Sequence, residues 1–333
     1  MDRAEIPHLT VTELAALIET KQVSPVEAVE AYLDRIEQLN PVVNAYVTVC
    51  AEEARRDARQ SEEEIQQGRY RGPLHGVPVA IKDQIHTKGI LTTDGSKLRA
   101  NFVPEEDATV LANLKNAGAV LLGKLNMSEF ALGDANSSAS GAACNPWDLT
   151  RSPGTSSSGS GAATAAHLCA TSLGEDTGGS IRGPAANCGL VGLRPTWGRV
   201  SRYGVDGACW SIDTIGPVAR TVEDCAVTIG AIAGYDPQDP YTWQVPVPDY
   251  RQALTGDISG LKVGLVREFL DPEVSGVTAQ TRGAVIAAAE VLTSLGAQVK
   301  EVSLPLGAMS GVVTRTITHT ERVSLHPEWL RER

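Results

Sequence analysis

The sequence predicts an α/β fold around a mostly parallel central sheet, and three features predict it. Short apolar runs at residues 77–81 (VPVAI) and 119–122 (AVLL) are separated by a helical run over 107–118. That strand–helix–strand rhythm belongs to parallel sheets. It returns later, with a strand over 262–266, a long helix over 278–295 and a strand over 298–304. With 333 residues, 42% of them hydrophobic and 21% charged, the chain has enough apolar material for a large core.

Residues 1–70 read as helices. Thr10 with Glu13 resembles a capping box, and Ser24-Pro25-Val26-Glu27 is a better one, with Pro at the first helical position. Val26, Val29, Leu33 and Ile36 follow at helical spacing, and Asn40-Pro41 should end that helix. Residues 52–67 are heavily charged with a thin apolar stripe, which reads as a solvated helix. Lys97 and Arg99, beside the Thr92-Thr93 turn, read as surface. Residues 118–124 nearly spell a phosphate loop, but their interior is an apolar strand and Leu125 stands where Ser or Thr is required. Gly159-Ser160-Gly161 fails as a dinucleotide fingerprint, because position 164 is Thr and no strand precedes it. A helix is expected from Thr221 to Ala233, then a Pro- and Asp-rich loop over 236–249. Ser259 and Lys262 match S-x-x-K in spacing, but the lysine opens a strand and the companion motifs are missing.

The chemistry concentrates in residues 152–192, which are rich in Ser, Gly, Ala and Thr. They are no flexible linker: Ala162, Ala163, Ala165, Ala166 and Leu168 form a small-residue helical run, and Leu173, Ile181, Leu190 and Val191 interrupt the polar parts. The stretch reads as two backbone-rich turns with a tightly buried helix between them. In Asp176-Thr177-Gly178-Gly179-Ser180, two glycines before a serine let successive N–H groups converge in an anion nest. A serine at its end could attack a carbonyl while the nest receives the oxyanion. Serine needs a base, and no His is close in sequence. The surroundings read G-G-S-I-R, which is not a nucleophile elbow.

DTGGSIRGPAANCGLVGLRPTWGRVS, with PGTSSSGSGAA and the upstream GVPVAIKD, resembles the amidase signature family across essentially the whole chain. The resemblance implies an α/β/α sandwich, a mixed sheet covered by helices on both faces. It implies a Ser–(cis-Ser)–Lys triad of Ser180 as nucleophile, Ser156 as bridging serine and Lys82 as base. It places the oxyanion on the backbone of Thr177, Gly178, Gly179 and Ser180, and the substrate beside Met127, Gly154, Thr155 and Gly183. Met127 and Phe130 read equally well as core. Ser157, Asp176 and Arg182 are expected to brace the turns. The residues fit these roles: Lys82 follows a buried apolar run, and burial disfavours an ammonium, so this lysine can serve as a base. Ser158 leaves open which serine of 156–158 is the bridge; the register from Gly159 onwards favours Ser156. No metal or other cofactor is implied.

As domains, 1–70 is expected to be a helical segment packed on an α/β core of 71–333, one domain overall. The resemblance implies further strands past Arg333, with 321–333 reading as an interrupted helix, so the core reads as incomplete at its C-terminus. A net charge of −11 argues against a nucleic-acid surface, and no run of about 18 apolar residues spans a membrane. The N-terminus lacks an apolar secretory core, and six scattered cysteines without C-x-x-C pairs read as reduced and mostly buried, so a cytoplasmic protein is expected. Six histidines form no metal motif: His75 reads as structural, His319 and His326 lie in the tail. Arg194, Arg199 and Arg202 read as staples of a turn.

The function read first is hydrolysis of a small-molecule amide or carbamate by an acyl-enzyme on Ser180. The expected partners are that substrate and at most a second copy of the chain, with no nucleic acid bound directly and no membrane. One alternative is the glutaminase subunit of a tRNA-dependent amidotransferase. Gly183 and Asn187, where bulkier residues are frequent in the family, lean towards the hydrolase. A non-catalytic binding module is the alternative of another class, and the intact Lys82, Ser156 and Ser180 speak against it.

Overall fold

A computed structural model describes residues 2–134 and 136–325. They fall into two compact units, one running to Arg251 and one from Gln252. In the first, helices α1 (Val11–Glu19) and α2 (Pro25–Val43) start at the two predicted capping boxes, Thr10 with Glu13 and Ser24 with Glu27. α2 does not stop at Asn40-Pro41. Proline removes only one backbone donor in a last turn, so the helix runs on to Val43, where Asn44 in the left-handed region (φ 49°) closes it. Asn40 ties the exit instead, accepting from the Tyr46 amide at 2.8 Å and donating to the Tyr46 carbonyl at 3.2 Å.

Within the stretch expected to be helical, Tyr46–Val49 forms strand β1. Its run of aromatic and β-branched residues favours a pleated edge. Helix α3 (Ala51–Gln66) follows, then β2 (Pro78–Lys82), α4 (Thr109–Asn116), β3 (Val120–Leu125), α5 (Ser158–Ala165) and β4 (Thr171–Asp176). Helix α6 (Arg182–Cys188), the two-residue β5 (Val191–Gly192), β6 (Thr214–Ala219) and α7 (Val222–Ile232) complete this unit's regular elements.

The six strands form one sheet in the order β1-β3-β2-β4-β6-β5. β2 lies at its centre, parallel to β3 and to β4, while the β1–β3, β4–β6 and β5–β6 pairings are antiparallel. The fold is the expected α/β architecture with a mixed sheet flanked by helices, but the parallel share is smaller than expected. The three antiparallel pairings involve β1, β5 and β6, which lie outside the strand–helix–strand pattern. β2, β3, β4 and β6 are buried along their whole length, so polar side chains on them must find partners inside the protein.

Lys97 and Arg99 both read as surface from sequence, but Arg99 is buried. It reaches Asp206 at 2.8 Å and Asp94 at 3.2 Å, and lies over the Phe102 ring. Of the three staple arginines, Arg194 donates to the Ile212 carbonyl, Arg199 to the Tyr250 hydroxyl and Arg202 to Asp239. All six cysteines are free thiols, five of them buried. No described helix is long and apolar enough to cross a membrane, and no group of metal-ligating side chains occurs among the described residues.

In the second unit β7 (Lys262–Val266) leads into short helices α8 (Arg267–Leu270) and α9 (Pro272–Ser275). Helix α10 (Ala279–Ser294) then leads to β8 (Gln298–Val302), parallel to β7, and α11 (Ser310–Leu325) follows. His326 and the end of the segment 321–333 lie outside the described residues.

Candidate active site

Lys82 is the last residue of β2 and has no solvent exposure. Its Nζ lies 2.7 Å from Ser156 Oγ, which belongs to a residue only 2% exposed. Burial pushes the Lys82 amine below the ordinary lysine range, an effect that the nearby Glu175 carboxylate opposes. A second buried lysine stabilises this strand end. Lys124 on β3 donates to the Ile85 carbonyl and to Thr92 Oγ1 and lies 3.6 Å from Asp83. Both sides of the turn after Lys82 are therefore pinned by polar bonds inside the core.

Ser156 sits in the turn before α5, and the peptide bond joining it to Thr155 is cis. Three contacts hold this turn. The Ser156 carbonyl accepts from the Ser128 amide at 3.2 Å, Ser157 Oγ donates to the Glu175 carbonyl at 3.2 Å, and the Gly159 amide donates to the Asn126 carbonyl at 2.8 Å. Gly159 admits no side chain, because a Cβ there would meet Asn126 N at 2.4 Å and Ala45 O at 2.5 Å. Gly154 is likewise obligatory: its φ is +102°, and a Cβ would sit 2.8 Å from the Pro184 backbone.

Ser180 lies half-buried in the turn between β4 and α6. Pro184 of α6 backs onto Gly154, and a Cβ on Gly183 would lie 4.0 Å from the Thr155 carbonyl. The turn carrying Ser156 is thus laid against the start of the helix that follows Ser180. Gly183 and Thr155 are both exposed, whereas Met127 is 1% exposed.

Asp176, at the end of β4, shapes the Ser180 turn. Its Oδ1 accepts from the Gly179 amide at 2.8 Å, and its Oδ2 from the Ile181 amide at 3.1 Å and Arg182 Nε at 3.0 Å. Arg194 adds an ion pair at 3.3 Å. Burial works against this carboxylate's charge, but the Arg182 bonds and charge together with the Ile181 and Gly179 amides hold the carboxyl below its usual range. Of the four amides expected from sequence to form the cradle, that of Gly179 is therefore already bonded to Asp176. The amides of Thr177, Gly178 and Ser180 donate to no group among the described residues.

Sequence reasoning missed what lies behind Lys82. Glu175, fully buried on β4, places Oε2 3.2 Å from Lys82 Nζ. Its Oε1 contacts Thr177 Oγ1 at 2.7 Å, and the same hydroxyl contacts Asp213 Oδ1 at 2.6 Å. Asp213 Oδ2 accepts from the Ala208 and Cys209 amides at 2.8 and 2.7 Å. One signal was available: two adjacent carboxylates at a buried strand end point to opposite sides, so Glu175 could not share the role of Asp176. Nothing local announces Asp213.

The Amidase family pattern matches residues 27–321. The chain belongs to the amidase family. Among amidase relatives, the A subunit of the Geobacter metallireducens glutamyl-tRNA(Gln) amidotransferase is 51% identical over 302 residues, covering 90% of this chain and 61% of that protein. The native peptide amidase of Stenotrophomonas maltophilia superposes with a TM-score of 0.87 at 36% identity, covering 95% of this chain and 66% of that one. The A subunit of the Thermotoga maritima glutamyl-tRNA(Gln) amidotransferase gives a TM-score of 0.83 at 33% identity, covering 98% of this chain and 69% of that one. The chain thus spans about three-fifths of the length of the curated relatives it matches.

Proposed function

We propose that the protein hydrolyses the side-chain amide of glutamine, as the A subunit of a glutamyl-tRNA(Gln) amidotransferase that works with partner chains. The observation that carries the chemistry is the buried 2.7 Å contact between Lys82 Nζ and Ser156 Oγ, in a turn laid against the helix that follows Ser180. Uncharged Lys82 accepts the Ser156 hydroxyl proton, Ser156 accepts that of Ser180, and Ser180 Oγ attacks the amide carbon. The oxyanion that forms meets the amides of Thr177, Gly178 and Ser180. Ser156 returns its proton to the leaving nitrogen, ammonia departs, and water cleaves the ester on Ser180.

The choice of glutamine rests on sequence. Identity to the Geobacter metallireducens A subunit, 51%, exceeds the 36% to the peptide amidase, and this outweighs the two positions, Gly183 and Asn187, that lean towards a stand-alone hydrolase. That second reading keeps one observation in its favour: Gly183 is exposed and a Cβ there would clash with nothing, its nearest neighbour being the Thr155 carbonyl at 4.0 Å. Glutamine assayed against aryl amides, anilides and carbamates, with and without partner subunits, separates the two. Partner-dependent release of ammonia from glutamine is expected; rapid anilide cleavage by this chain alone, with no glutaminase activity, overturns the assignment. Labelling of Ser180 by an activated fluorophosphonate, lost in Lys82→Ala, distinguishes either enzyme from a non-catalytic scaffold.

A further inference from the structure

A lysine bonded to a buried carboxylate is a poor base unless its proton has somewhere to go. We propose that Glu175 is a positioning residue that takes and holds the proton Lys82 must lose, within a buried relay that continues through Thr177 to Asp213. This rests on the reading of Lys82 as the base.

Counting protons along the chain of contacts supports the assignment. Thr177 has one hydroxyl proton, yet its oxygen lies 2.7 Å from Glu175 Oε1 and 2.6 Å from Asp213 Oδ1. One of these two hydrogen bonds needs a carboxyl proton. Lys82 Nζ lies 3.2 Å from Glu175 and favours its anion, so the proton resides on Asp213, on Oδ1 because Oδ2 already accepts two backbone amides; it is donated to Thr177, which donates to Glu175. Burial first, then the charge of Glu175, pushes the Asp213 carboxyl up to about 7, in the direction that favours the protonated acid. Glu175 is then an anion whose free oxygen faces Lys82 Nζ at 3.2 Å.

The step is a proton transfer within the pair. One Nζ–H bond breaks and one Oε2–H bond forms, turning an ammonium and a carboxylate into an amine and a carboxylic acid. The pocket's net charge does not change, so no charge crosses the buried strand end. Asp176, whose charge also reaches Lys82, is held by Arg182 and Arg194 and takes no part. Glu175 touches no substrate and acts only through Lys82.

The test is Glu175→Gln in the intact protein with its partner subunits. Gln keeps the shape and can accept from Thr177, but cannot take a proton. With no acceptor inside the pair, Lys82 must lose its proton to solvent, so the acid limb of kcat should move up to the titration of Lys82 itself, by about one pH unit or more. Plateau kcat should fall because the base is weaker, with KM unchanged. Lys82 is also titrated directly by NMR of ¹³C-labelled lysine side chains, its signal assigned by loss in Lys82→Ala. Asp213→Asn, which puts a neutral donor to Thr177 where the protonated acid stands, should leave both readouts close to wild type, and a shift as large as that of Glu175→Gln would overturn the placement of the proton on Asp213. An acid limb that coincides with wild type or moves down in folded Glu175→Gln overturns the relay. If the wild type hydrolyses no amide, the proposed function fails on its own, while the NMR titration still decides the relay.

Discussion

Replacing Asp176 with Asn probes whether the Ser180 turn is a built cradle or an ordinary loop. The substitution keeps size and shape but turns one of two accepting oxygens into an NH2 group that faces donors. If that group takes the place of Oδ1, the Gly179 amide loses its 2.8 Å acceptor; if it takes the place of Oδ2, the buried Ile181 amide loses its 3.1 Å acceptor. The Arg182 side chain is 54% exposed and regains water, so its lost ion pair counts for little. One backbone donor stranded inside the protein costs about 1–3 kcal/mol, which urea unfolding at pH 7 should read directly. Because the same bond fixes the turn that aims the Gly178 and Ser180 amides, kcat/KM for amide hydrolysis should fall about 10²-fold or more, the scale of losing one oxyanion donor. The pH dependence has a definite sign. The folded carboxyl is depressed, so its stabilisation is present above the ordinary carboxylate range and lost as pH falls through the folded value; the variant should lack that acid-sensitive portion. A variant that loses stability yet retains wild-type kcat/KM would show that Asp176 supports the fold and not the cradle.

Activity should rise with pH as Lys82 sheds its proton, at values below the ordinary lysine range because burial depresses it; a profile flat down to about pH 5 would contradict a lysine base. Since the unfolded chain holds the extra proton between the folded value and the ordinary lysine value, the Lys82 contribution to stability should increase with pH across that window in urea titrations. Lys82→Arg places a permanent cation at the same spot and should lower kcat by several orders of magnitude while the protein stays folded, as Ser180→Ala should. Gly159→Ala pushes a methyl group into two backbone segments at 2.4–2.6 Å, neither of which is a movable side chain. It should cost about 1–3 kcal/mol in thermal unfolding and reduce turnover, and an unchanged melting temperature would mean that the turn before α5 yields easily. Gly183→Phe should slow hydrolysis of bulky acyl groups more than of glutamine, and equal rates on both would show that the space beside Thr155 does not select substrate.

Local chemistry made the capping boxes at Thr10 and Ser24 readable, as it did the buried strand leading to Lys82 and the glycine-rich turn at Ser180, because each rests on residues within a few positions of one another. What escaped reading depends on residues far apart in the chain. The short strand Tyr46–Val49 has too little length to announce itself between two helices, and its pairing with β3 and the bonds of Asn40 to Tyr46 hold it. Arg99 carries every sign of a surface residue until Asp206, over a hundred positions later, is folded against it. The pair of carboxylates at 175 and 176 lies between these cases. Alternation along a buried strand dictates that they diverge, and a buried acid without a partner would be too costly to keep. The side of β4 opposite Asp176 therefore had to hold a cation or a proton donor. The parallel register that sets Ile81 beside Leu173 brings Lys82 there, and Asp213 supplies the proton from the residue just before β6, the strand that pairs with β4 on its other edge.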